Sequence, residues 1–204
     1  MTLDALSVRD LVFAAAAGTA IAAACGLRAF LPLLILGLGV RFGFLHVAPG
    51  AAWIASTPAL VTLVWATVIE LAADKVPALD HALDIVATGL RPLAAAVATW
   101  CTFVGVHPAL AIAAALVMGT GAMGVHVAKA KVRLGSSMLT FGSANPLLSF
   151  IEDALAIGLS AMAVLAPIAA LVGVGLMIWA LRRVFRGPAR EPRQARTTGR
   201  EPTR

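Results

Sequence analysis

Residues Leu11 to Leu45 read LVFAAAAGTAIAAACGLRAFLPLLILGLGVRFGFL, an apolar run of 35 residues that settles the class of fold. A helix needs about 20 apolar residues to cross the hydrocarbon core of a bilayer, so this run is too long for one untilted span. It is interrupted by Gly26-Leu27-Arg28-Ala29-Phe30-Leu31-Pro32. Pro32 lacks a backbone donor and disfavours helical geometry before it, which predicts a break there and leaves open one kinked helix or two shorter ones.

Five further apolar segments follow: Thr57 to Ala73, Leu83 to Val104, Pro108 to Ala128, Pro146 to Leu165 and Pro167 to Leu181. The expected fold is all-α, a polytopic helical membrane protein with about six to seven transmembrane or re-entrant helices. The composition agrees: 60% of the 204 residues are hydrophobic and 13% charged, against about 45–50% apolar in a soluble domain. Two short alignments, Asp84 to Leu90 with Asp153 to Leu159 and Gly26-Leu27-Arg28 with Gly124-Val125-His126, raise an internal repeat as an expectation. A repeat meeting at a midplane site would suit a transporter.

The net charge of +6 belongs to one end of the chain. From Arg182 onward there are eight Arg against Glu191 and Glu201, and the preceding 181 residues are balanced. No basic face interleaved with aromatics remains to bind nucleic acid, so that class is excluded. Residues 1–185 read as the membrane domain and 186–204 as a disordered basic tail, whose expected partner is the anionic headgroup layer. Lys129, Lys131 and Arg133 fall on the same side as Arg182, Arg183 and Arg186 when the spans are counted, which puts that side and the C-terminus in the cytoplasm. The His46 to Ser56 and Gly105 to His107 connections then face outward. Cys25 and Cys101 are isolated in apolar runs and read as small buried hydrophobes. A homo-oligomer is an open expectation.

Function is best sought among the carboxylates. Six of the ten lie in or beside apolar segments, and intramembrane acids are expensive enough to be functional by default. Glu70 and Asp74 share a helix face at i and i+4, where like charges need a shared proton, a cation or neighbouring bases such as Lys75 and Arg28. Asp80 and Asp84 repeat the spacing with His81 between them, a donor set suited to a hard divalent cation. The plainer reading makes Asp80 a helix N-cap. Arg91 lies within the third span, with Asp84, seven residues earlier on the same helix face, as its natural mate. Asn145 is a candidate N-cap with Pro146 at the first helical position. Glu152 and Asp153 follow two turns in, and their directions differ by about 100°, which predicts separate partners among Lys129, Lys131 and Arg133. Gly119 to Gly124 matches a dinucleotide-binding pattern, but inside a membrane helix it reads as close helix packing.

Taken together, Gly26-Leu27-Arg28-Ala29-Phe30-Leu31-Pro32, Glu70-x-x-x-Asp74-Lys75-x-Pro77-x-x-Asp80-x-x-x-Asp84, Arg91-Pro92 and Asn145-Pro146-x-x-Ser149-x-x-Glu152-Asp153 resemble the bacterial membrane proteins grouped as domain of unknown function 4126. The resemblance runs from about residue 10 to 185 and implies an inner-membrane protein of no assigned activity. Glu70-Leu-Ala-Ala-Asp74-Lys75 is also similar to the Glu-x-Gly-Asp-Lys motif of small cation exchangers, with one residue more and no Gly. Three functions remain open. The first is a cation- or proton-coupled transporter or channel using Glu70, Asp74, Asp84, Glu152 and Asp153, with Arg28, Lys75 and Arg91 as counter-charges and a bound cation as its only cofactor. The second is a metal-dependent enzyme or flippase acting on lipid-linked phosphate. The third is a scaffold whose buried charges pair.

Overall fold

The computed structural model describes residues 8–73, 77–141 and 143–185. Among them are seven α-helices: α1 (Val8–Leu27), α2 (Phe30–Arg41), α3 (Thr57–Ala73), α4 (Pro77–Thr102), α5 (Pro108–Thr140), α6 (Asn145–Leu165) and α7 (Pro167–Phe185). A 3-10 stretch, Pro49–Ala55, leads into α3. The 35-residue apolar run is therefore two helices, and the basic tail lies outside the described residues.

Four helices are long and apolar enough to cross a membrane, namely Val8–Leu27, Pro108–Thr140, Asn145–Leu165 and Pro167–Val184. Phe30–Arg41 and Thr57–Ala73 are shorter apolar helices. The outer surface carries exposed Val61, Trp65, Leu116, Val117, Phe150, Val172, Leu176 and Trp179, a distribution that water would penalise and lipid accommodates. The protein is a polytopic helical membrane protein.

At the centre is α1, packed against α4, α5, α6 and α7. Its inner length is a nearly continuous run of small residues, with Ala20, Ala22, Ala23, Ala24 and Cys25 buried, so neighbouring backbones approach closely. A Cβ on Gly26 would lie 2.6 Å from the Ala122 carbonyl oxygen, and one on Gly119 would lie 2.7 Å from that of Pro92. Only glycine fits at these two crossings.

Contacts along the helices fix their directions. Thr102 Oγ1 donates to the Ala14 carbonyl (3.4 Å) and Ala48 N to the Cys101 carbonyl (3.2 Å), while Gly39 packs on Val164. The first half of α1, the last turn of α2 and the ends of α4 and α6 thus share one rim, here called upper. Leu27, by contrast, meets Lys129 far along α5. So α1 runs inward from the upper rim, and α2 returns to it. The two helices form a hairpin whose tip, Arg28-Ala29, lies inside the bundle.

Several boundaries differ from the sequence reading. The helix carrying Arg91 begins at Pro77, so Asp80 is three residues inside it and does not cap it. The N-cap of α6 is Ala144; Asn145 is the first helical residue and exchanges hydrogen bonds with Ser137 (3.2 and 3.0 Å). Helix α5 runs past Ala128 to Thr140, because Lys129, Lys131 and Arg133 are good helix formers and nothing breaks the chain there.

Candidate functional site

Pro32 has no N–H to give the Arg28 carbonyl, and α1 ends at that point. Helix ends leave backbone groups unsatisfied, and inside a membrane bundle no bulk water serves them. Two charged side chains fill the role. Lys129 Nζ donates to the Leu27 carbonyl at the C-terminus of α1 (3.2 Å). Glu70 accepts from both N–H groups at the start of α2, Ala29 N on Oε1 (2.7 Å) and Phe30 N on Oε2 (3.1 Å). Each charge has the sign that its helix dipole favours.

Arg28, at the tip itself, is fully buried. Its Nη2 donates to Ser149 Oγ (3.0 Å), stands 2.6 Å from Asp153 Oδ1 and lies 3.9 Å from Glu152 Oε2. Lys129 Nζ is 2.9 Å from Glu152 Oε2, and Arg133 Nε is 3.8 Å from Glu152 Oε1. Three bases and two acids therefore form one cluster. The closest contacts keep the expected separate partners, Lys129 for Glu152 and Arg28 for Asp153, but Arg28 also reaches Glu152, because a guanidinium at the hairpin tip is long and forked enough to span carboxylates on adjacent helix positions.

The cluster is deep. Asp153 lies twelve residues before the end of α6 and eight after its start, about 18 Å and 12 Å along a helix rising 1.5 Å per residue. The cluster thus sits well inside the length of α6, away from both of its ends.

One turn up α5, His126 Nδ1 is hydrogen-bonded to Arg91 Nη1, and His126 Nε2 faces Thr88 Oγ1 at 3.3 Å. Arginine has only donors, so Nδ1 accepts and the ring carries its hydrogen on Nε2. His126, Lys129 and Arg133 continue the buried stripe begun by Ala111, Ala115, Gly119 and Ala122. One face of α5 thus changes from small residues to bases as it descends past the tip.

Of the residues singled out by sequence, Arg28, Glu152 and Asp153 meet directly, and Glu70 is held at the same turn. Arg91 is bound to His126. Asp74 and Lys75 lie outside the described residues, as do the side chains of Asp80, His81 and Asp84, although the backbone of those three belongs to α4. Among the described residues no group of three His, Cys, Asp or Glu could hold a metal ion. Ser149, His126, Lys129 and Arg133 also belong here; the sequence reading named Lys129 and Arg133 as partners for the two acids and left out Ser149 and His126. The spacing of 126, 129 and 133, continuing a stripe of small residues at intervals of three and four, is the signal that finds three of them.

A family model described as a domain of unknown function, DUF4126, matches residues 15–187. The chain belongs to the DUF4126 family. The match takes in every residue of the cluster and stops at the basic tail. Nothing among curated proteins or solved structures matches the chain.

Proposed function

We propose that this DUF4126 protein is a proton-coupled carrier or channel of the bacterial inner membrane, with Glu152 and Asp153 as the proton-exchanging groups. One observation carries the reading: Arg28, at the buried tip of a helical hairpin, is shared between these two acids near the middle of α6. Irregular backbone at that depth is tolerated where it lines a pathway or is buried in protein, and broken helices near the midplane are where transporters place their sites. Protonating either acid releases a buried base, which must then find another partner. That coupling between a proton and side-chain position is what a carrier needs.

The scaffold reading also has an observation in its favour. Both oxygens of Glu70 are used on backbone N–H groups, and both acids of α6 have a base within salt-bridge distance, so the buried charges are paired. Purified protein in sealed vesicles separates the two. With a membrane potential imposed and a pH-sensitive dye inside, a carrier or channel acidifies or alkalises the lumen faster than protein-free vesicles in at least one ion gradient. If proton movement matches the protein-free rate with Na⁺, K⁺ and Mg²⁺ gradients alike, the transport reading fails and the scaffold stands.

A further inference from the structure

We propose that the groove between α2 and α3 at the upper rim is a binding site for one anionic phospholipid, its acyl chain lying along α3 and its phosphate taken by Arg41. The groove, of about 360 Å³, is lined by Arg41, Thr57, Leu60, Val61, Val64 and Trp65. The α3 members follow the i, i+3, i+4, i+7, i+8 spacing of one helix face, so the channel descends about 12 Å over two turns. Below Thr57 its wall is apolar. That suits an alkyl chain and leaves a polar ligand unpaired.

Arg41 supplies the contact to the headgroup. It ends α2, is exposed, and donates Nη1 to the Ala55 carbonyl (3.2 Å). This bond fixes the guanidinium over the groove mouth, and the remaining donors of the fork match the spacing of phosphate oxygens. Phe42, Phe44 and Trp53, all exposed beside it, mark the level of the membrane interface where lipid phosphates lie. Between Asp10 and Glu70 the sequence has no carboxylate. The residues that line the groove therefore offer no counter-charge for a choline or ethanolamine ammonium, and the charge complementarity with Arg41 selects an anionic headgroup.

The test uses a variant that keeps Trp65 while Trp53, Trp100 and Trp179 are changed to Phe. It is reconstituted in bilayers doped with brominated phosphatidylglycerol or brominated phosphatidylcholine. The phosphatidylglycerol form is expected to quench Trp65 at a mole fraction about fivefold lower, the factor that one basic residue confers on anionic lipid. Arg41→Gln, at an exposed position, should abolish the difference. Native mass spectrometry of the wild type and Arg41→Gln provides the readout independent of the Trp changes: one retained phosphatidylglycerol in the first, none in the second. Equal quenching by both lipids shows ordinary annular contact and overturns the proposal, as does a preference that survives Arg41→Gln.

Discussion

Glu70 and Asp153 are both acids at the α1–α2 turn, yet they are neutralised in different ways. Glu70 meets backbone N–H groups, which cannot leave without unwinding α2. Asp153 meets the side chain of Arg28, which has a second acid, Glu152, at 3.9 Å. The first arrangement holds the hairpin in place. The second can rearrange while the hairpin stays folded, and this difference is why the transport reading rests on Glu152 and Asp153.

The greatest loss is expected for Arg28→Ala. It strands Asp153 inside the bundle and should cost about 3–5 kcal/mol, read as a loss of folded protein in detergent. Arg28→Ala with Asp153→Ala should recover part of that loss. No recovery would mean that Arg28 acts mainly through other partners. Next comes the hairpin's seat on α5: Gly26→Ala forces a methyl against the Ala122 carbonyl and should cost about 1–3 kcal/mol in the same assay. A smaller effect is expected for Glu70→Gln, which keeps one acceptor oxygen for the α2 N-terminus and should lose about 0.5–2 kcal/mol, as helix caps do. A loss as large as that of Arg28→Ala would show that the Glu70 charge is needed as well as its geometry. Smallest and of opposite sign is Gly121→Ala, where an added Cβ meets nothing within 4 Å and the helix gains up to about 1 kcal/mol.

Much of the architecture was legible in the sequence. Hydropathy and Pro32 were enough to place helices and the break between α1 and α2. The hairpin was not legible, because local sequence says where a helix stops and not which way the chain turns; the return of α2 depends on α3 and α6 packing against it. Glu152, Asp153 and Arg28 were found because buried charge is rare in such segments. Their convergence was missed because helical angle predicts separate directions and takes no account of a long guanidinium arriving from another helix. Glu70 drew attention for its charge, whereas its partners are backbone groups that exist only once the hairpin has formed.

The most direct test of the difference between the two kinds of acid is proton flux in sealed vesicles, compared for Asp153→Asn, Glu70→Gln and wild type at equal amounts of folded protein. Asp153→Asn, which keeps a hydrogen bond to Arg28 but no titratable proton, is expected to lose most of the flux, and Glu70→Gln to keep it. Flux at the wild-type rate in Asp153→Asn, or its loss in Glu70→Gln alone, would contradict the account.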